Sequence, residues 1–266
     1  MGRSYSSSST DTLDTITEEL RAAGCVFAED EAALMTESAG SPAELAQMVR
    51  QRVGGVPLQL ILGWAEFCGL RIAVAPGVFI PRHRTEFVAE KAIGLGTPGA
   101  VVLDLCCGSG AIGVAVATAL AGVELHAADL EPAAVVCARK NVSRVDGRVW
   151  EGDLYEPLPS SLRGRVDLLT ANAPYVPSRE VHLMPREARL YEEPMTLDGG
   201  EDGLDLQRRV ISEAPDWLKP AGRLLIETSD RQAAGTMDAM EKAGLHPTLS
   251  TSAELEATVV IGKQAT

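Results

Sequence analysis

The turn Asp104-Leu105-Cys106-Cys107-Gly108-Ser109-Gly110 constrains the fold of this 266-residue chain more than any other feature. An apolar run over 100–105 leads into it and a small-residue helical pattern over 111–121 leads out, so the glycines sit where a buried strand hands over to a helix. That handover creates a backbone cradle at a helix N-terminus. The pattern then repeats, with strands predicted at 123–128, 148–152, 166–171 and 222–228, and helices at 132–143, 203–218 and 231–243. Strands separated by helices make a parallel sheet wound on both faces, the α/β class, and a last strand near 257–262 is expected to close an antiparallel pair.

Ahead of this series the spacing predicts helices over 13–23 and 28–38. Leu13, Ile16, Leu20 and Ala23 form one stripe, and Leu34 and Met35 lie on the second segment. Ser41-Pro42 opens a third helix with Leu45, Met48 and Val49 facing inward. Residues 57–80 alternate apolar and polar positions between Gly69 and Pro76-Gly77, the signature of a hairpin, and a helix over 86–95 begins through Thr85. The expected organisation is a flexible leader (1–10), a small helical domain (11–56), a hairpin connector (57–80) and the α/β domain (81–266).

A formal charge of −13 sets the chain against nucleic-acid phosphates, whose binding needs clustered Lys and Arg, although Arg71, Arg82 and Arg84 are candidates for a local basic rim. No run reaches the ~18 apolar residues of a membrane span, and no secretory signal pattern is visible, so a cytoplasmic location is expected. The cysteines and histidines lack metal-ligand spacing, so no metal is predicted, and Cys106 and Cys107 read as packing residues in a tight turn.

In a doubly wound sheet the ligand lies over the carboxyl ends of the strands, so Asp104, Asp129, Asp153 and Asn172 should converge. Gly108-Ser109-Gly110-Ala111-Ile112-Gly113, with Asp129 about 20 residues on, also fits a dinucleotide fingerprint. Asp104 separates the two readings: a carboxylate there suits the charged amino group of a methionine moiety and repels a pyrophosphate. The favoured ligand is therefore S-adenosylmethionine, with Cys106, Gly108, Ser109 and Gly110 around the methionine part. Asp129 would take the ribose hydroxyls, Asp153, after Gly152, would contact the adenine amino group, and Leu130 is a further cofactor-binding candidate.

Asn172-Ala173-Pro174-Tyr175 follows the fourth strand by the same logic. The Asn172 side-chain oxygen and the Ala173 carbonyl can accept two N–H groups, Pro174 holds Ala173 extended, and Tyr175 offers a flat face. An amide nitrogen is a poor nucleophile because its lone pair is delocalised, so such a turn suits its methylation by orientation. Methylation of a base amino group in nucleic acid uses a related turn, and a noncatalytic cofactor-binding module is a further alternative. The run 198–203, Asp-Gly-Gly-Glu-Asp-Gly, reads as a flexible loop able to cover the site.

The segments Arg52 through Gln59, Phe79-Ile80-Pro81-Arg82, Thr85-Glu86, Asp104 through Gly110, Asn172 through Tyr175, Tyr191-Glu192 and Leu197 through Leu204 together resemble the HemK/PrmC family of protein-glutamine methyltransferases. The resemblance spans 52–232. It implies a Rossmann-like class I S-adenosylmethionine-dependent methyltransferase sheet preceded by a small helical domain and a β-hairpin. It further implies methylation of the glutamine in the Gly-Gly-Gln loop of a peptide chain release factor or of another translation protein. Asn172 and the Ala173 backbone would hold that glutamine, while Asp129 and the glycine turn would hold the cofactor. Departures are Ala173 where the family usually has proline, His83-Arg84 where it commonly has Pro-Glu, and a helical region that looks short.

Overall fold

The computed structural model describes residues 9–184, 190–193 and 196–266, and the chain divides into two compact units, Met1–Trp64 and Ala65–Thr266. The first eight residues of the expected leader lie outside the described ones, and helix α1 (Ser9–Ala22) already occupies the last two.

The first unit is helical. Ile16 and Leu20 of α1 pack with Ala28, Ala32 and Met35 of α2 (Ala28–Ser38) and with Leu45, Met48 and Val49 of α3 (Pro42–Val53). Ala23 lies past the end of α1 and is exposed, so the first stripe is one residue shorter than its spacing suggests. Ser41 caps α3 by accepting from the Glu44 amide at 3.2 Å, with Pro42 in the first turn. The expected connector is corrected here: Pro57 opens a short helix, α4 (Leu58–Leu62), whose Leu58, Ile61 and Leu62 pack on this small core. An apolar run so short does not declare its period.

The hairpin is confined to β1 (Trp64–Phe67) and β2 (Leu70–Ala73), and Cys68 and Gly69, both with positive φ, form its two-residue turn. Within the second unit, buried Asn141 ties β2 down: it accepts from the Ala73 amide at 2.8 Å and donates to the Ala73 and Ser109 carbonyls at 2.9 Å.

The rest of that unit is a seven-stranded sheet of order β5-β4-β3-β6-β7-β9-β8. Its strands are β3 (Val101–Leu105), β4 (Glu124–Asp129), β5 (Arg148–Glu151), β6 (Val166–Ala171), β7 (Leu218–Thr228), β8 (His246–Ser252) and β9 (Ala257–Lys263). The pairs from β5 to β7 are parallel, and β9 lies antiparallel between β7 and β8. The antiparallel terminal pair matches expectation; β8, polar at alternate and successive positions, carries no strand pattern in its sequence.

All five residues of β3 are buried, because helices cover both of its faces. Val102 points into a core with α5 (Glu86–Leu95), α6 (Ala111–Ala119) and α7 (Pro132–Val142). Val101, Leu103 and Leu105 point into another with α8 (Asp205–Trp217) and α9 (Ala233–Lys242). Helix α8 starts two residues later than its pattern predicts, because Gly203 adopts φ +79 and Asp202 accepts from the Leu204 amide at 3.0 Å ahead of the first turn. Among the described residues no helix is long and apolar enough to cross a membrane.

Candidate active site

The chain runs from β3 outward to β4 and β5, then returns to the other side of β3 with β6, so the strand order reverses between β3 and β6. A ligand crevice forms outside the carboxyl ends of the strands at such a reversal. A cleft of about 420 Å³ opens there, within the range of small-molecule sites. Cys106, Gly108, Ser109, Asp129, Leu130 and Asp153 line it, as do Asn172, Ala173, Pro174 and Tyr175.

Asp129 builds the cradle. One of its oxygens accepts from the Gly108 amide at 2.7 Å and the other from the Glu131 amide at 3.0 Å. Burial raises its carboxyl, opposed by those backbone hydrogen bonds. Each oxygen keeps a lone pair for a hydroxyl. Leu130, next to it, is 48% exposed, a large apolar side chain left open at the cleft wall.

Asp104 is the main correction. It is 1% exposed and does not line the cleft, since its oxygens accept from the Gly113 amide at 3.0 Å and the Thr170 hydroxyl at 2.9 Å. It braces the turn from below, with burial pushing its carboxyl up to about 7, and cannot be the partner of a ligand amino group. Gly110 and Gly152 also stand off the cleft. Gly110 has φ +78 and would bring a Cβ within 2.9 Å of Val142, so it shapes the turn. The Gly152 amide donates to the Asp129 carbonyl at 3.0 Å. Asp153 reaches the cleft with one oxygen engaged by Arg209 at 2.7 Å. Cys106 holds the left-handed region at φ +52, and its thiol is pushed up by burial.

The second half of the site is the turn after β6. Asn172 donates from Nδ2 to the Thr85 hydroxyl at 3.3 Å, so its side-chain oxygen is the acceptor it has to offer. Thr85 makes no side-chain cap for α5; it serves the site instead. The Tyr175 hydroxyl donates to Glu227 Oε1 at 3.1 Å, and the Arg84 guanidinium lies 5.9 Å over the Tyr175 ring. Arg84 also pairs with Glu227 at 3.5 Å, and Arg82 pairs with the buried Glu192. Two residues of the expected basic rim, Arg82 and Arg84, are therefore paired with carboxylates.

The loop 198–203 is tied down rather than a free cover. The Gly199 amide donates to the Val176 carbonyl at 2.8 Å, the Ser178 amide to the Gly200 carbonyl at 2.9 Å, and Gln232 to the Tyr175 carbonyl at 2.8 Å. Thr85, Arg84, Glu227 and Gln232 were not singled out as partners of this turn, and only tertiary contact reveals them.

The family profile described as Methyltransferase small domain matches residues 90–197. The release factor glutamine methyltransferase of Geobacter sulfurreducens is 40% identical over 209 residues, covering 77% of this chain and 72% of the relative. The chain belongs to the release factor glutamine methyltransferase family. The family member of that name from Bordetella pertussis is 37% identical over 203 residues, covering 75% of this chain and 74% of its own. A methyltransferase of known structure from Pyrococcus furiosus superposes with a TM-score of 0.57 at 17% identity, covering 74% of this chain and 90% of that one. The sheet of this release factor glutamine methyltransferase family member is thus the class I S-adenosylmethionine-dependent methyltransferase fold, and Gly108 through Gly113 do not mark a nicotinamide enzyme.

Proposed function

We propose that this chain transfers the methyl group of S-adenosylmethionine to the side-chain amide nitrogen of the glutamine in the Gly-Gly-Gln loop of a peptide chain release factor, in the cytoplasm. The single observation that carries the reading is that Asn172, with its Nδ2 committed to Thr85, lines the same cleft as Asp129 and Leu130.

The residues present fit the cofactor. Asp129 offers lone pairs for ribose hydroxyls, Leu130 an apolar surface for a flat base, and Gly108, at φ +56, a backbone that a ligand can approach closely. S-adenosylmethionine, when bound, supplies an electrophilic methyl on a sulfonium.

The chain's own residues orient the acceptor. The Asn172 oxygen and the Ala173 carbonyl each accept one N–H of the substrate amide, which fixes the plane of the nitrogen. Pro174 limits the freedom of Ala173, and Tyr175 walls the pocket. The new C–N bond would form as the methyl–sulfur bond breaks, leaving a neutral thioether, and the excess proton on the methylated nitrogen would pass to solvent. Holding reactants in line, with no strong base, supplies most of what this reaction needs.

The charge of −13 supports a protein acceptor over a nucleic acid. The test offers methyl-labelled S-adenosylmethionine with either an intact release factor or total RNA. Label in the release factor alone is expected; label in RNA alone would overturn the reading.

A further inference from the structure

Asp153 follows β5, and Arg209 stands one turn along α8 from Leu206; all three line the cleft, as Leu130 does. Two segments 56 residues apart in sequence meet there, because Arg209 donates from Nη2 to Asp153 Oδ2 at 2.7 Å. Among the described residues no other side chain hydrogen-bonds to this carboxylate or this guanidinium. The Arg209 side chain is 52% exposed and that of Asp153 34%. A pair this open to water adds little to stability, so its place in the cleft has another explanation.

A carboxylate oxygen has two lone pairs and a guanidinium Nη two protons. The 2.7 Å contact uses one of each, which leaves Asp153 Oδ2 an acceptor site and Arg209 Nη2 a donor, side by side. Adenine carries the complementary edge, an N6 amino donor beside the N1 acceptor, and the Watson–Crick edge is the part of a free base that hydrogen bonds read. Leu130 and Leu206 supply apolar surface for its flat face. We propose that Arg209 is a specificity-determining residue of the cofactor site: paired with Asp153, it reads the adenine edge, the carboxylate accepting from N6 and the guanidinium donating to N1. Hypoxanthine inverts that edge, with an oxygen at position 6 and a proton on N1, so it sets oxygen against carboxylate and proton against proton.

This inference rests on the assignment of the cleft to S-adenosylmethionine and is independent of the methyl acceptor. Calorimetric titration of the full chain compares S-adenosylhomocysteine, the demethylated cofactor, with S-inosylhomocysteine, its deaminated counterpart carrying hypoxanthine. The proteins are wild type, Arg209→Met and Asp153→Asn, with Tm alongside. Wild type is expected to bind the adenine compound about 30–100-fold tighter than the other. Arg209→Met should bind the adenine compound about 5–20-fold more weakly than wild type and discriminate less than about tenfold, with Tm within about 2 °C. Asp153→Asn, whose amide can turn to offer an N–H to O6, should bind the hypoxanthine compound more tightly than wild type does, a gain that structural damage does not produce. Equal binding of both compounds by wild type, discrimination by Arg209→Met within twofold of wild type, or no gain in Asp153→Asn would overturn the proposal. Should Arg209→Met not fold, Arg209→Lys takes its place under the same criterion, since an ammonium lacks the planar fork. Wild type that binds neither compound would overturn the cofactor assignment and this inference with it. Release factors left unlabelled while the discrimination holds would overturn the proposed function and leave the inference standing.

Discussion

Asn172 and Asp129 divide the site between substrate and cofactor, and their variants should fail differently. Asn172→Ala removes an acceptor needed to aim the amide, so kcat should fall about 100-fold with cofactor binding intact, as measured by single-turnover transfer and calorimetry. Asp129→Ala loses two backbone partners and the hydroxyl acceptor. It should weaken cofactor binding by about 10–100-fold, in line with charged hydrogen bonds worth about 1.5–3 kcal/mol. Asp104 predicts a pH effect on stability instead. Its folded pKa, about 7, stands above the ordinary value of 3.8, so the folded state binds more protons between those limits. Its contribution is present below pH 3.8 and is lost as pH rises through about 7. Relative to Asp104→Asn, wild type should therefore lose stability over that interval in urea unfolding; a difference that stayed flat with pH would contradict the assignment. These residues also mark how far sequence reading reaches. The motif spacing located Asn172 and Asp129, but the end of a strand does not reveal which way a carboxylate points, and Asp104 points beneath the turn to the Gly113 amide of α6. Thr85 and Glu227 lie 87 and 52 residues from their partners in the Asn172 turn, so no local pattern could announce them.

At the scale of elements, the turn after β6 and the loop 198–203 behave as one packed piece. A Cβ at Gly199 would lie 2.6 Å from the Pro174 carbonyl and 2.8 Å from Tyr175 Cα, backbone atoms that cannot yield cheaply. Gly199→Ala should displace the turn and lower kcat by at least about tenfold while sparing cofactor affinity, because the cradle at Asp129 belongs to other strands. Unchanged kcat would mean that the loop does not support the turn. Most of the α/β series was legible because buried parallel strands and amphipathic helices differ in length and period. The short helix α4 and the edge strand β8 were not, the first because five residues do not express a period, the second because an edge strand need not alternate. The rigidity of 198–203 was also hidden, since glycine marks both free loops and loops squeezed against backbone.

For the whole molecule, a ligand that binds only the folded state stabilises it by about 2.7 kcal/mol at a hundred times its Kd, which for a domain of this size raises Tm by about 5–10 °C. S-adenosylmethionine should produce that shift in wild type and much less in Asp129→Ala, read by calorimetric melting. The acidic balance of the chain matches a protein acceptor, and family membership rests on similarity across most of its length. The most direct measurement of the central claim is peptide mass spectrometry of a release factor after incubation with this protein and methyl-labelled S-adenosylmethionine. One methyl on the side-chain nitrogen of the Gly-Gly-Gln glutamine is the predicted result. A methyl on any other residue, with that glutamine unmodified, would contradict the account.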